Sequence, residues 1–165
     1  LGDVYKRQVY ERIVETIGVP QQSFRITDMV VVCSRVRAKG GMNRKRKVLQ
    51  ISEVRRSGEV FSDLMRLPSP EGSLEVVTHL NDSQLIKKIC RKWGISTSDA
   101  IDMVEIRRRI KERIALAGEA DPRFLKTEFV VDANNRFWLY MDEESRGGDY
   151  WRAYERWVDW FSNVS

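Results

Sequence analysis

The stretch MVVVCSRVRAKGGMNRKRKVLQISEV, residues 29–54, decides the fold. It begins with an unbroken apolar run from Met29 to Cys33, which is typical of a buried strand covered on both faces of a sheet. After the adjacent glycines Gly40 and Gly41, the residues from Val48 to Glu53 alternate in the period-two pattern of a strand with one wetter face. The two segments therefore predict a β-hairpin that turns at the glycines.

Four consecutive cationic residues follow these glycines: Arg44, Lys45, Arg46 and Lys47. A phosphate-binding loop is excluded, because no Gly-Lys pair is followed by Ser or Thr and the next segment is a predicted strand rather than a helix. Nucleic-acid binding is an electrostatic alternative. However, a strand directs alternate side chains to opposite faces, which divides the four charges two and two. A solvated hairpin end or a protein contact is therefore favoured.

The flanking segments complete a sheet-based unit that is predicted to end near Leu80. A helix over Val9–Ile17 is stopped by Gly18 and Pro20. A second hairpin is predicted over residues 59–80, with PSPEG at positions 68–72 supplying its turn.

From Asn81 the pattern becomes helical. One helix is predicted to be capped by Asn81 or Asp82 and stopped by Gly94, with its apolar face formed by Leu85, Ile86, Ile89 and Trp93. A capping box of Ser96 and Asp99 opens a longer helix that is closed by Gly118 and Pro122. Its apolar stripe consists of Met103, Ile106, Ile110, Ile114 and Ala117.

The last part of the chain leaves one element open between helix and hairpin. Residues 127–145 contain Asn134 and Asn135, which suit a turn, yet their apolar residues follow helical spacing, and we favour a helix. The final segment, residues 149–161, predicts an amphipathic helix with Trp151, Tyr154, Val158 and Phe161 on one face. Its polar face balances arginines with Glu155 and Asp159, so docking onto the preceding helices is favoured over binding to a membrane surface.

Composition excludes several classes of protein. The 165 residues carry 29 basic and 24 acidic side chains, a net charge of +5, which permits an acidic partner without requiring one. No apolar run approaches the roughly 18 residues of a membrane helix, and the start lacks the apolar core of a signal peptide, so a cytoplasmic protein is expected. Cys33 and Cys90 are expected to be buried, reduced thiols.

No catalytic or metal-ligating group is predicted. The single histidine, His79, has no recognisable Ser or Cys nucleophile tied to it, and it supplies no metal-ligand set. Asp142, Glu143 and Glu144 cannot be separated from ordinary surface charge. The arginines at 107–109 lie on different helix faces near Glu105 and Glu112, so a solvated helix surface is favoured over an anion site.

The first eight residues, LGDVYKRQ, are set aside because DVYKRQ looks like a translated sequencing-library adapter. On that interpretation the natural protein continues upstream of Val9.

Several features together resemble one family, the type II/type IV secretion-system ATPases, and most closely its archaeal branch that drives pili, archaella and secretion. They are the helix ending in Gly-Val-Pro, residues 18–20, the Thr27-Asp28 entry to the apolar strand, the glycine turn, and RKRKV leading into QISEV. The GEVFSDLMRL hairpin and the KKICRKWGIS helix entry add to the resemblance, which spans roughly Val9 to Leu116.

The resemblance implies an α/β fold in which residues 9–80 form the C-terminal end of a RecA-like ATPase domain, with two β-hairpins, and residues 81–165 form a helical C-terminal region. It further implies a homo-hexamer that uses ATP and Mg²⁺ and works with a membrane-embedded platform protein at the cytoplasmic membrane, with no nucleic acid. The Walker A and Walker B motifs of that family precede the matching region, so this chain is expected to be inactive alone. The stretch Arg44 to Lys47 is then a contact with a neighbouring subunit or the platform protein.

Two alternatives from other classes stay open beside the motor. One is a non-enzymatic basic adaptor that binds nucleic acid through Arg44 to Lys47. The other is a structural module whose helical tail docks a protein partner.

Overall fold

The computed structural model describes residues 2–37, 44–144 and 149–165. The chain divides into two compact units, residues 1–93 and 94–165, called here the sheet unit and the helical unit. The change in sequence pattern predicted a boundary near Leu80, whereas the units divide after Trp93. The predicted α/β class is confirmed in its coarse form, as one antiparallel sheet accompanied by helices.

The sheet unit contains one four-stranded antiparallel sheet in the order β1-β2-β3-β4. The strand pairing of both predicted hairpins is confirmed, since β1 pairs with β2 and β3 pairs with β4. The predicted turn at Gly40 and Gly41 lies outside the described residues. The predicted glycine stop of the first helical segment is also confirmed, because Gly18 has φ +79°. The elements are α1 (Gly2–Glu11), a π-helical turn (Arg12–Thr16), α2 (Gln21–Phe24), β1 (Met29–Arg37), β2 (Arg44–Val54), β3 (Phe61–Arg66), β4 (Glu75–Val76), a 3₁₀ turn (Leu80–Asp82) and α3 (Gln84–Trp93).

Strand β1 lies at the edge of the sheet and is not covered on both faces, so that prediction is wrong. Val32 is buried, but Val31 is 49% exposed and Met29 is 39% exposed. Cys33 is exposed as well, contrary to the prediction of two buried thiols, whereas Cys90 is buried. A uniformly apolar strand thus has one face in contact with the core and the other face in solvent.

Strand β2 is central, and its predicted wetter face is wrong. Gln50, Ser52 and Glu53 are each at most 1% exposed. The hydroxyl of Ser52 donates to Asp63 Oδ1 across the sheet at 2.7 Å. These polar side chains are buried because elements distant in sequence pack over both faces of this part of β2, and burial of polar groups is tolerated when they are hydrogen-bonded.

The carboxylate of Glu53 caps helix α3. Ser83 Oγ donates to it at 2.7 Å, and the backbone N–H groups of Gln84 and Leu85 donate to it at 3.0 and 3.2 Å. Ser83 Oγ in turn accepts from the N–H of Ile86 at 3.1 Å. These bonds satisfy donors that a helix leaves unpaired at its start, and the negative charge suits the positive end of the helix dipole.

The predicted cap at Asn81 or Asp82 is therefore wrong, because Ser83 and the distant Glu53 take that role. The predicted stop at Gly94, with φ +65°, is confirmed. The predicted apolar face is only partly correct, since Ile86 is buried while Trp93 is 61% exposed.

The helical unit consists of α4 (Thr97–Ala120), a 3₁₀ turn (Pro122–Leu125), α5 (Thr127–Glu144) and α6 (Tyr150–Val164). The predicted capping box of Ser96 and Asp99 is confirmed, with both reciprocal hydrogen bonds formed. The preference for helix over hairpin in residues 127–145 is confirmed for the described residues of that segment. Helix α4 continues past the predicted stop at Gly118, which contacts the side chain of Leu125.

The core of this unit is largely aromatic and aliphatic. Trp157 at its centre is 0% exposed, and its Nε1 donates to the carbonyl oxygen of Ala133 at 2.8 Å. The predicted docking of the last helix onto its neighbours is confirmed, although the prediction omitted Trp157. The buried core residues are Ile106, Ile110, Ile114, Phe124, Ala133, Phe137, Ala153, Tyr154, Trp157 and Phe161.

Candidate contact surface

The end of the β1-β2 hairpin carries a set of arginines that face the same side. Arg35 pairs directly with Arg46, and Arg37 pairs directly with Arg44. Directly paired residues of antiparallel strands lie on the same face, and residues two apart along a strand share a face as well. We call Arg35, Arg37, Arg44 and Arg46 the arginine ribbon.

The arginine ribbon is exposed and carries concentrated positive charge. Opposed Cβ atoms in such a hairpin are about 5 Å apart, and neighbours on one strand are about 7 Å apart. In the part of the chain that the structure describes, no carboxylate forms an ion pair with any of these residues. Like charges placed directly opposite each other destabilise a sheet, so binding of an anion would relieve the repulsion. Guanidinium groups bind carboxylates and phosphates in a bidentate manner.

The two lysines of the basic stretch lie on the opposite face of the hairpin. Lys45 pairs with Val36 and Lys47 pairs with Ser34, so the two-and-two division predicted from strand alternation is observed. Lys47 Nζ donates to the carbonyl oxygen of Gly72 at 2.9 Å and so contacts the turn between β3 and β4. Of the four predicted contact residues, Arg44 and Arg46 lie on the arginine face, while Lys45 and Lys47 do not.

Arg35 and Arg37 were missed by the sequence prediction. The signal was present, because residues at equal distances from a hairpin turn pair with each other, and Arg-Val-Arg precedes the glycines as Arg-Lys-Arg follows them. The register that brings these residues together is a property of the folded hairpin, whose β-bulge near Cys33 shifts the pairing beyond it.

An apolar surface continues from the arginine ribbon along the same face of the sheet. Cys33 pairs with Val48, Val31 with Ile51, and Ile51 in turn with Met65. We call this set the apolar sheet face. Val31 and Cys33 are exposed on it, and Val48, Ile51 and Met65 are partly exposed. A cationic end thus adjoins an apolar surface on one side of the sheet.

The partly buried carboxylate Asp63 has a structural role. Burial opposes its charged form, but hydrogen bonds from Lys6, Ser52 and Arg66 outweigh this effect and hold the pKa of Asp63 below its usual value. The Arg66 contact measures 2.6 Å. Since its oxygens are occupied by donors, this carboxylate is suited to anchoring the sheet rather than to proton transfer.

Several other charged groups of the sequence analysis form ion pairs with nearby residues. Glu105 accepts from Arg108 and Arg109, which lowers the pKa of Glu105 to about 2. Glu143 and Glu144 form ion pairs with Arg156 of α6 at 2.6 and 2.9 Å. These pairs are helix-surface contacts of modest energy.

His79 is exposed. Among the residues that the structure describes, no group of three or more His, Cys, Asp or Glu side chains is placed to hold a metal ion. Within these residues no helix combines the length and apolarity needed to cross a bilayer. Comparison of the chain with models of protein families and with curated proteins finds no match.

Proposed function

We propose that the chain is the C-terminal portion of a hexameric ATPase of the type II/type IV secretion family, which powers secretion or the assembly of pili or archaella. The resemblance described above, over Val9 to Leu116, motivates the assignment. The observation that carries it is the state of β1, an edge strand whose outer face exposes Met29, Val31 and Cys33. A uniformly apolar sequence is typical of a strand inside a larger covered sheet, such as that of a RecA-like domain, and an apolar edge strand is a site where further strands can pair.

The proposal places the chemistry outside the residues of this chain. The sequence contains no Gly-x₄-Gly-Lys-Ser/Thr segment, so these residues do not fit a nucleotide and its Mg²⁺. ATP and Mg²⁺ belong to the intact parent in this proposal, which works as a homo-hexamer at the cytoplasmic face of the membrane.

Within the proposed motor, the arginine ribbon binds carboxylates on a neighbouring subunit or on a membrane-embedded platform protein. The adjoining apolar sheet face extends the contact, in keeping with interfaces that combine an apolar centre with a polar rim. Arginine is favoured at such contacts because its planar group binds carboxylates with two parallel hydrogen bonds.

The test begins with the source DNA, by extending the reading frame upstream and searching for the nucleotide-binding segment. The purified 165-residue chain is expected to show no ATP turnover, and the intact product is expected to show turnover that requires the upstream Lys of that segment. An intact frame that begins close to Val9 and lacks such a segment would eliminate the motor proposal.

A second candidate function, binding of duplex nucleic acid, is favoured by one observation. Residues 44–48 of β2 pair with β1 and, among the described residues, not with β3, so the arginines lie on a two-stranded ribbon. The major groove of DNA admits a ribbon of this kind, and arginines neutralise its phosphates.

The two candidates differ in the response to salt and to charge reversal. For duplex binding, affinity is expected to fall linearly with salt on a logarithmic scale, and Arg35→Glu with Arg37→Glu is expected to reduce the slope by about 2. The matched control is Lys87→Glu with Lys92→Glu, which reverses two exposed charges on α3. Duplex binding that is absent, or equally reduced in both double variants, would remove this candidate without affecting the motor proposal.

A further inference from the structure

A groove runs between α4 and α5 in the helical unit. It encloses a cavity of about 240 Å³. Its lining consists of Arg107, Ile110, Lys111, Ile114, Val130, Val131, Asn134 and Phe137. We call this feature the α4-α5 groove.

The floor of the α4-α5 groove is apolar and well packed, while one wall is open to solvent. Ile110, Ile114 and Phe137 belong to the buried core of the unit. On the α5 side, Val130 and Val131 are 41% and 51% exposed. Exposure of two adjacent valines above a packed floor leaves apolar surface that a second apolar side chain can bury.

The only charged residues among those that line the groove are Arg107 and Lys111, which lie one helical turn apart on α4. Arg107 donates to Asn134 Oδ1 at 3.3 Å and lies over the ring of Trp138, 4.6 Å from the ring centre. Among the described residues, neither cation forms an ion pair with a carboxylate. Burial lowers the pKa of Arg107 from its usual value, as expected for a cation partly removed from water.

The neighbouring arginines show that this arrangement is particular to the groove. Arg108 and Arg109 both bind Glu105, and Arg108 also binds Glu112 at 3.0 Å. The same arginine triplet therefore has two members neutralised on the outer surface of α4 and one member, Arg107, directed at the groove without an anion.

The length of the groove fits a helix. From Arg107 to Ile114 helix α4 advances about 10 Å, two turns, and the lining residues of α5 from Val130 to Phe137 cover the same length. An amphipathic helix docks in such a groove through apolar side chains at positions i, i+3 or i+4, and i+7.

We propose that the α4-α5 groove binds an acidic amphipathic helix of a partner protein. Apolar residues of that helix pack against Val130, Val131 and the groove floor, and its carboxylates form ion pairs with Arg107 and Lys111. A partner of this chemistry neutralises both cations, whereas a basic or purely apolar helix leaves them unpaired in a less hydrated site. The inference is independent of the proposed motor function.

The experiment uses the full chain and a synthetic helical peptide as the probe. The peptide carries Leu at positions i, i+4 and i+7 with Glu at the adjoining positions, and a second peptide replaces these Glu with Lys. Titration of the acidic peptide into ¹⁵N-labelled protein is expected to shift amide resonances along the facing sides of α4 and α5. The Lys peptide is expected to bind at least tenfold more weakly.

Charge reversal then tests the contact. Lys111→Glu and Arg107→Glu are each expected to lower the affinity for the acidic peptide about tenfold. The double variant is expected to bind the Lys peptide more tightly than the acidic one. Lys126→Glu is the matched control, since Lys126 is exposed in the same unit and outside the groove lining, and it is expected to change affinity less than twofold. Val131→Asp is expected to abolish binding, with far-UV circular dichroism confirming that each variant folds.

Three outcomes of the peptide experiments would overturn the inference, and a fourth comes from the protein alone. They are absence of binding, equal affinity for the Glu and Lys peptides, and insensitivity to reversal of both Arg107 and Lys111. Concentration-dependent shifts of the same resonances in the absence of peptide would assign the groove to a second copy of the chain and would likewise overturn it.

Discussion

The two units of the chain bury their apolar residues in different ways. The helical unit places one of its tryptophans, Trp157, fully inside a core that its own helices supply. The sheet unit leaves Val31 and Val76 about half exposed or more, yet it buries the carboxylate of Glu53. The difference teaches that, within the described residues, the helical unit builds its core from apolar side chains alone, whereas the sheet unit adds buried polar side chains, Gln50, Ser52, Glu53 and Ser83, to its apolar core.

The largest expected effect comes from removing the central side chain of the helical core. Trp157→Ala creates a large cavity and removes the indole donor to the carbonyl oxygen of Ala133, so the free energy of unfolding should fall by about 3–5 kcal/mol. Urea denaturation followed by circular dichroism measures the change. Trp93→Ala in the sheet unit is the control, because Trp93 is 61% exposed and its loss should change stability by less than about 0.5 kcal/mol. Equal losses in the two variants would contradict the comparison.

A smaller effect is expected from the buried carboxylate of the sheet unit. Glu53→Gln keeps the size of the side chain but removes an oxygen acceptor and the negative charge at the start of α3, so stability should fall by about 1–3 kcal/mol. Hydrogen exchange of the Gln84 and Leu85 amides should accelerate. Glu59→Gln, at an exposed position of the same unit, should leave both measurements unchanged. Unaltered exchange in Glu53→Gln would show that this cap does not stabilise the helix.

The smallest expected effect is on the loss of stability at low pH, which we compare for one carboxylate in each unit. The pKa of Asp63 in the sheet unit and that of Glu105 in the helical unit are both lowered in the folded protein, the latter to about 2. Each carboxylate therefore contributes stability above its unfolded pKa, near 4, and this contribution is lost as the pH falls through the lower folded pKa. Asp63→Asn and Glu105→Gln should each flatten the decline of melting temperature below pH 5.

The change should be larger for Asp63 and should persist in high salt, because the side chains of Asp63 and its partner Lys6 are only 10% and 13% exposed. The Glu105 pairs are exposed and screened by salt. A salt-sensitive Asp63 effect, or a larger effect at Glu105, would reverse this ranking.

The structure of the helical unit was largely predicted correctly from the sequence, because the sequence patterns that specify it are local. The capping box of Ser96 and Asp99 and the isoleucine stripe of α4 involve residues three or four apart, whose proximity is fixed as soon as a helix forms. The spacing of Phe129, Ala133, Phe137 and Tyr140 likewise indicated a helix despite the turn-forming asparagines. The spacing did not show that Trp157, rather than Trp151, lies at the centre of the core.

The predictions for the sheet unit were wrong where the burial of a residue depends on elements distant in sequence. The apolar run from Met29 to Cys33 indicated a doubly covered strand, yet it lies at a sheet edge with one exposed face. The alternation along β2 placed Glu53 on the same side as Leu49 and Ile51 but gave no partner for its charge. That partner is the start of α3, about thirty residues later, where Ser83 donates to its carboxylate. Strand periodicity separates two faces but does not say which face another element will cover.

The two candidate contact surfaces also combine features that local sequence patterns predict with features that depend on tertiary structure. The sequence by itself determined the pairing of the two strands as a hairpin and the separation of Arg44 and Arg46 from the lysines, because these follow from turn chemistry and from alternation along a strand. Only the tertiary structure decided that Arg35 and Arg37 join them on the arginine ribbon, and that Arg107 lies in a groove while Arg108 and Arg109 are paired outside it. The physical reason is that register and helix packing bring together residues from separate segments, and their pairing energies are realised only after the chain has folded.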